Sequence, residues 1–246
     1  MREQDVRTAM LLGEDGVERL GSAHVAVFGI GGVGGYAVEA LARAGVGRLT
    51  LVDADKVSIS NINRQIVALH STVGQYKAEA ARDRIADISP ETAVICKNTY
   101  FSPDNADEFD FSEYDYVIDA IDSLASKIEL IVRATEAGTP IVSAMGAGNK
   151  LDPTRFEVSD ISKTQVCPLA RAVRVALRKR GIDHLKVVYS RELPAESSAE
   201  PENNGQSGEA AQRIGPKRAP GSLSFVPSVM GLVIAGEVIK DISKII

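Results

Sequence analysis

The sequence predicts an α/β protein with a mostly parallel sheet and helices on both faces. Short aliphatic runs alternate with segments of helical periodicity, and a glycine cluster lies between the first run and the first helix. Strands that alternate with helices form right-handed crossovers, so the carboxyl ends of the strands meet at one edge of the sheet. Ligands of such sheets bind at that edge.

Each predicted element depends on the spacing of its apolar residues. In the first helix, Val33, Ala37, Leu41 and Ala44 recur at helical spacing. Buried strands are predicted at residues 25–28, 49–52, 93–96, 116–119 and 140–144. Further helices are predicted at residues 77–88, 123–137, 169–180 and 223–239.

The chain length suits one large domain. We expect a single domain over residues 1–246, with a nucleotide-binding core at about 22–150. Residues 151–246 would form a substrate or crossover region whose C-terminal extension completes the sheet. Within that region, residues 194–221 are rich in Pro, Gly and Glu and poor in aliphatic side chains, which predicts a mobile loop.

The composition limits the class of protein. Apolar residues make up 44% and charged residues 25% of the 246 residues, which excludes a largely disordered chain. The net charge of −5 argues against a protein that coats DNA non-specifically. Two cysteines cannot form a disulfide framework, and the longest apolar run, Val229–Gly236, is too short for a membrane span. We therefore expect a cytoplasmic protein with neither DNA nor a membrane as partner.

A glycine loop follows the first predicted strand. Gly29, Gly31, Gly32 and Gly34 let the backbone approach a phosphate, and the free N–H groups of the next helix favour negative charge. Asp53 ends the second strand, where an acidic residue accepts hydrogen bonds from ribose hydroxyls. Together these features predict a Rossmann-like nucleotide-binding fold.

The residues after Asp53 indicate which chemistry the nucleotide undergoes. Asp55, Asn61, Arg64 and Gln65 place polar groups and a fixed cation beside the ribose site. Transfer of a nucleotidyl group needs such a cation, because negative charge develops on the leaving pyrophosphate. Hydride transfer has little use for it.

Two further segments extend this predicted site. Lys77, at the start of a helix, could supply a second cation. Asp122 and Ser123 follow a strand, and Asp122 could hold Mg²⁺ that bridges phosphates. Each residue alone also has an ordinary interpretation: Lys77 as a solvated helix residue, Asp122 as a helix N-cap and Arg64 as a surface ion pair. Their shared position at one sheet edge favours the nucleotide site.

Residues 29–147 resemble the ubiquitin-activating-enzyme-like adenylyltransferases, the family that includes the activators of sulfur carriers for molybdopterin and thiamine synthesis. The shared motifs are the glycine loop, Asp53-x-Asp55, the segment from Ser60 to Gln65, Lys77 and Asp119-x-x-Asp122. The resemblance implies ATP and Mg²⁺ as cofactors.

Individual roles follow from the same resemblance. It implies that Asp53 holds the ribose, that Asn61, Arg64 and Lys77 bind the triphosphate, and that Asp122 coordinates Mg²⁺. Arg64, Lys77 and Asp122 would thus carry catalysis, together with Arg7. Arg7 matches an arginine that reaches the ATP of the neighbouring subunit, which implies a homodimer with composite sites.

The segment from Gly146 to Thr164, continuing to Cys167, resembles one branch of the family, the tRNA threonylcarbamoyladenosine dehydratases. That resemblance implies ATP-driven cyclisation of the modified adenosine next to the anticodon. Two alternatives remain: activation of the C-terminal glycine of a ubiquitin-like sulfur carrier, and a non-enzymatic nucleotide-binding partner in sulfur relay. The paired CxxC motifs of many sulfur-carrier activators are absent from the sequence, which counts against a zinc site and weakly against carrier-protein activation.

The predicted helix at 169–180 is strongly basic. Its candidate tRNA-binding residues are Arg171, Arg174, Arg178, Lys179 and Arg180. The alternative is a solvated face over an inward-facing apolar stripe. Cys167, just before this helix, is either a nucleophile for a thioester or persulfide, which would imply a sulfur-transfer protein as partner, or a residue that caps or packs.

Overall fold

The computed structural model describes residues 2–195 and 220–244. These residues form a seven-stranded sheet in the order β3-β2-β1-β4-β5-β7-β6. Neighbouring strands are parallel except for β6, which pairs antiparallel with β7. The strands are β1 (His24–Phe28), β2 (Arg48–Val52), β3 (Ala93–Lys97), β4 (Tyr116–Asp119), β5 (Ile141–Ala144), β6 (Phe156–Asp160) and β7 (Lys186–Ser190).

Helices cover both faces of the sheet. They are α1 (Val6–Ser22), α2 (Gly34–Arg43), α3 (Lys77–Ile88), α4 (Leu124–Glu136), α5 (Pro168–Arg178) and α6 (Phe225–Ser243). Helices α2, α3 and α6 share one apolar cluster with the strands, while α4 and α5 pack with two clusters on the other side. The alternation of side chains along each strand explains this division, because successive residues point to opposite faces.

The final helix packs closely on the first crossover helix. A Cβ at Gly231 of α6 would lie 2.2 Å from the carbonyl oxygen of Val33, so only glycine allows this approach. Pro227, in the first turn of α6, lies beside Gly32 of the glycine loop. The C-terminal part of the chain therefore supports the loop that was predicted to bind phosphate.

The predicted fold class is confirmed, and the predicted helices and strands recur with small differences at their ends. Strand β3 is an edge strand with Ile95 43% exposed, so its prediction as a buried strand was wrong. Helix α1 was not predicted. Glycines interrupt the spacing of its apolar residues, and its backbone kinks at Gly13, where φ is 71°. The predicted mobile loop at 194–221 lies outside the described residues, apart from two residues at each end.

Candidate active site

The glycine loop joins β1 to α2 in a tight turn. Gly29 has a φ of 90°, and its N–H donates to the carbonyl oxygen of Val52 at 2.8 Å. A Cβ at Gly34 would lie 1.8 Å from the carbonyl oxygen of Gly29, which no side chain allows. At Gly31 the nearest atom to such a Cβ would be 3.9 Å away. Gly29 and Gly34 are thus required by the fold, whereas Gly31 leaves space above the loop.

Asp53 connects the end of β2 to the glycine loop. One carboxylate oxygen accepts from the N–H of Ile30 at 2.7 Å, and the other accepts from the N–H of Asp55 at 2.8 Å. Burial raises the pKa of Asp53, and the Lys77 charge and the two backbone N–H groups act against this effect. The carboxylate is therefore held in one orientation at the predicted ribose position.

Lys77 is buried rather than solvated. It is 5% exposed as the first residue of α3, and its Nζ lies 2.7 Å from a carboxylate oxygen of Asp55. The hydroxyl of Tyr100, which follows β3, donates to the other oxygen of Asp55. The interpretation of Lys77 as a surface residue is excluded, and a cation is placed beside Asp53.

Tyr100 is a residue of this edge that the sequence did not identify. That hydrogen bond, together with partial burial and the charges of Asp55, Asp53 and Asp122, raises the pKa of Tyr100 to about 12. Tyr100 as a whole is 66% exposed. Residues after β2, β3 and β4 thus come together around one point, although no local sequence pattern around Tyr100 indicates it.

The segment after β2 forms a turn that presents Arg64. The Asn61 side chain accepts from the N–H of Ser58 at 3.1 Å. The Arg64 guanidinium donates to the carbonyl oxygen of Ser60 at 3.0 Å and to the Asn63 side chain at 2.8 Å. These contacts are with uncharged groups of the same turn, so the surface ion-pair interpretation of Arg64 finds no support within residues 2–195 and 220–244.

Gln65 is buried beside the glycine loop. It is 7% exposed, and its Nε2 lies 3.9 Å from where a Cβ of Gly31 would be. The Oε1 atom of Gln65 is buried and has no hydrogen-bond partner within the described residues. A buried polar group without a partner is costly, which marks this position for contact with a ligand or subunit.

Asp122 and Ser123 lie in the short loop between β4 and α4. Ser123 is the N-cap residue of α4, so the interpretation of Asp122 as the N-cap is wrong. Because β1 pairs in parallel with both β2 and β4, the loop after β4 lies at the same edge of the sheet as Asp53 and Asp55, which follow β2. The loop also contacts the glycine loop, because the Ala120 carbonyl lies 2.6 Å from where a Cβ of Gly29 would be.

Arg7 follows a segment that is anchored away from this edge. It is an exposed residue in the first turn of α1. Just before it, Arg2 pairs with Asp5 and contacts both Ser89 and the position of Gly45, beyond the far end of α2. The Arg7 of a given chain is therefore not brought to the glycine loop of that chain.

The basic helix is only partly available for binding. Arg171, Arg178, Lys179 and Arg180 are exposed, the last two just beyond the end of α5. Arg174 instead donates to the Thr164 hydroxyl at 2.6 Å, to the Thr164 carbonyl at 3.0 Å and to the Ile161 carbonyl at 3.2 Å. Its guanidinium holds the turn that precedes α5.

Cys167 lies at the N-cap of α5 and is 5% exposed within an apolar cluster. Within the part of the chain that the structure describes, His, Cys, Asp and Glu side chains form no group of three or more suited to a metal ion. None of the helices described there is long and apolar enough to cross a bilayer.

Comparisons with known proteins identify the family of the chain. Residues 5–245 match the model of the ThiF family. The chain is 45% identical to the tRNA threonylcarbamoyladenosine dehydratase of Bacillus subtilis, over 99% of this chain and 96% of that protein.

Solved structures of the corresponding Escherichia coli dehydratase are similar as well. The complex with AMP superposes with a TM-score of 0.87 and the complex with ATP with 0.86, each at 35% identity over 99% of this chain and 95% of the other. The chain therefore belongs to the ThiF family and, within it, to the tRNA threonylcarbamoyladenosine dehydratases.

Proposed function

We propose that this protein uses ATP to cyclise N6-threonylcarbamoyladenosine in tRNA, next to the anticodon, with net loss of water. The observation that carries the proposal is an arrangement: the glycine loop, Asp53, Lys77 and Asp122 lie at one edge of the sheet. The chain with this arrangement is similar over its whole length to a dehydratase of that name. The four groups match what a nucleotidyl transfer to a carboxylate requires.

The chemistry is activation followed by ring closure. The threonine carboxylate attacks the α-phosphorus of ATP, which forms an acyl adenylate and releases pyrophosphate. The ureido group of the same nucleoside then attacks the activated carbonyl, loses its proton and expels AMP, which carries away the carboxylate oxygen. Because this attack is intramolecular, its effective concentration is high. The enzyme therefore needs to activate the acid, hold the nucleoside and exclude water.

The side chains of the site divide this work. The glycine loop and the first N–H groups of α2 would receive the phosphates, and Asp53 would accept hydrogen bonds from the ribose. Lys77 and Arg64 would stabilise the charge that develops on the pyrophosphate. Asp55 holds Lys77 at 2.7 Å and thereby fixes the direction of its ammonium group.

The residues present also fit Mg²⁺. This ion usually keeps several waters and takes one or two protein carboxylates together with phosphate oxygens, so a multi-acid cluster is not needed. Asp122 would supply the carboxylate at the end of β4. When bound, the ion would neutralise phosphate charge and align the triphosphate for attack.

We further propose that the enzyme is a homodimer in which Arg7 acts on the ATP of the partner subunit. Within one chain the segment that precedes Arg7 is anchored beside Gly45 and Ser89, beyond the end of α2 that is remote from the glycine loop. Helix α1 also exposes two large apolar side chains next to it, Met10 at 76% and Leu11 at 82%. Exposed apolar side chains of this kind mark an interaction surface.

Mixing two inactive variants tests this arrangement. Arg7→Ala and Lys77→Ala should each abolish turnover alone. If Arg7 acts in trans, refolded mixtures of the two should recover roughly a quarter of wild-type activity, because half of the dimers are mixed and each has one intact site. Mixtures that stay inactive, while the mixed dimers are shown to form, would mean that Arg7 does not serve the partner.

The exposed basic side chains of α5 are proposed to contact the tRNA backbone. Arg171 and Arg178 lie on one face of the helix and form a basic patch, which Lys179 and Arg180 extend beyond the end of the helix. Such contacts are independent of base sequence and weaken as salt rises. The other partner implied by the resemblance, a sulfur-transfer protein, needs a reachable thiol, whereas Cys167 is buried and Cys96 is half-buried. We therefore propose no sulfur-transfer step.

Mass spectrometry tests the proposed activity. tRNA that carries threonylcarbamoyladenosine is incubated with the protein, ATP and Mg²⁺, and its nucleosides are released under mild conditions. The modified adenosine should lose the mass of one water only when ATP is present. An unchanged nucleoside, from protein that binds ATP, would favour activation of a sulfur-carrier tail instead, which exchange of labelled pyrophosphate with an added carrier protein would reveal.

A further inference from the structure

A fully buried ion pair lies next to the short loop that carries Asp122. Lys127 of α4 and Asp119 at the end of β4 are both 0% exposed, and their charged atoms lie 2.7 Å apart. Ser143 of β5, also 0% exposed, donates its hydroxyl to the same oxygen of Asp119. We call these three residues the β4–β5–α4 clamp.

Every polar group of the clamp is satisfied. The Lys127 ammonium has three protons, and it meets three acceptors: Asp119, the Ser143 hydroxyl at 3.3 Å and the Ala144 carbonyl at 3.0 Å. The second Asp119 oxygen accepts from the N–H of Ile121 at 3.1 Å. The polar atoms of the clamp are therefore already hydrogen-bonded within the protein, and because its side chains are fully buried they cannot contact ATP.

Stability alone does not account for the clamp. Two charges removed from water lose their hydration, and their attraction only about repays that loss, so well-packed apolar residues often serve equally well in such places. What a satisfied buried pair provides is a single geometry, because any shift of one member leaves a charge unpaired in an apolar surrounding. The question is then which part of the molecule needs that geometry.

The clamp encloses the loop that carries Asp122. Only residues 120–123 separate the end of β4 from the start of α4. On one side Asp119 holds the N–H of Ile121, and on the other the backbone N–H of Lys127 donates to the carbonyl of Ser123 at 2.9 Å. The loop also packs against the glycine loop through Ala120. Its position is thus defined on three sides, with Asp122 between the two anchors.

We propose that Lys127, acting with Asp119 and Ser143, is a positioning residue that sets the Asp122 carboxylate at the distance and angle that magnesium–ATP requires. Lys127 contacts neither substrate nor metal; it acts through the 120–123 loop. This inference rests on the proposed role of Asp122 and adds the element that makes that role geometrically possible.

The test compares ATP affinity with and without Mg²⁺ by titration calorimetry in several variants. The double variant Asp119→Asn with Lys127→Met removes both charges and leaves no unpaired ion. We expect it to fold and to bind ATP in EDTA as the wild type does. The increase in ATP affinity on addition of Mg²⁺ should fall by about tenfold or more, as for other groups that orient metal ligands. Hydrogen exchange in residues 120–123 should become faster.

Two further variants define the comparison. Ser143→Ala keeps the ion pair and loses the two hydrogen bonds of the Ser143 hydroxyl, to Asp119 and from Lys127, so the magnesium effect should fall by only about fivefold. This variant also serves if the double variant does not fold. Arg133→Met alters the same helix at its partly exposed pairs with Glu129 and Asp107 and should leave the magnesium effect unchanged.

Asp122→Asn separates this inference from the proposed function. If Asp122→Asn loses the magnesium effect while folded clamp variants keep it, along with wild-type exchange in the loop, the positioning role is refuted and the role of Asp122 stands. If Asp122→Asn itself keeps the magnesium effect, then Asp122 is not the ligand, and the inference about Lys127 is refuted with it.

Discussion

Substitution of Gly34 by alanine is the sharpest test of the glycine loop. The added Cβ would lie 1.8 Å from the Gly29 carbonyl oxygen and 3.3 Å from the Ala120 Cβ. Ordinary van der Waals contact begins at 3.4 Å, so the backbone at Gly34 must move away from that at Gly29, at the other end of the same loop, by roughly 1.6 Å. Because the obstructing atoms are backbone, a change of rotamer cannot relieve the clash.

The structure gives an expected magnitude for this change. Overpacking of a tight site lowers the free energy of unfolding by about 1–3 kcal/mol, and a backbone clash belongs at the upper end. For a chain of this length, about 3 kcal/mol corresponds to a fall in Tm of about 6–12 °C. Thermal unfolding without ligand, followed by circular dichroism, measures it.

Gly31→Ala is the matched control within the same loop. Its Cβ would meet nothing closer than 3.9 Å, so Tm should stay within about 2 °C of wild type. The methyl group would occupy the space that a phosphate needs, and ATP affinity should fall by about tenfold, roughly 1.4 kcal/mol. Equal Tm values for the two variants would refute the tight turn. Unchanged ATP affinity in Gly31→Ala would refute phosphate binding above the loop.

Two other changes give distinct results. Burial raises the pKa of Asp53, so as pH is lowered ATP affinity should begin to fall at a higher pH than it would with an ordinary carboxyl; the same carboxyl favours the folded state at low pH and loses that effect as pH rises through its raised pKa. Asp53→Asn should flatten the pH profile of ATP affinity, measured by calorimetry, and that of stability, measured by unfolding. An unchanged profile in this variant would contradict the assignment. Arg174→Ala should lower the free energy of unfolding by about 1–3 kcal/mol, because its guanidinium holds the Thr164 turn, and should change the salt dependence of tRNA binding little. Arg171→Ala should leave stability unchanged and reduce the slope of log affinity against log salt by about 1. Fluorescence anisotropy at several salt concentrations distinguishes the two variants, and the reverse pattern would contradict the contacts of Arg174.

Local sequence was sufficient wherever backbone conformation or periodicity determines the structure. The glycine loop between β1 and α2 was predictable because left-handed and closely approached backbone positions require glycine. The crossover helices were predictable because their apolar residues recur at helical spacing. Helix α1 was missed because glycines interrupt its pattern and its kink at Gly13 breaks the periodicity.

The site was predictable in part for a similar reason. Asp53, Lys77 and Asp122 follow strands or start helices, so parallel topology alone places them at one edge. Tyr100 and Lys127 were not identified, because an exposed tyrosine after an edge strand and a lysine inside a helix look ordinary in sequence. Their contacts join residues 45 and 8 positions apart through the tertiary fold.

The sequence by itself predicted the α/β class and the sheet edge of the candidate site from spacing within short segments, and its motifs identified the family by resemblance. Only the tertiary structure decided which charged groups are paired and which are exposed. Arg174, similar in sequence to its basic neighbours, holds a turn, and Lys77, similar to a surface lysine, is buried against Asp55. The physical reason is that burial and hydrogen bonding depend on segments distant in the chain, and those segments meet only when the sheet has formed.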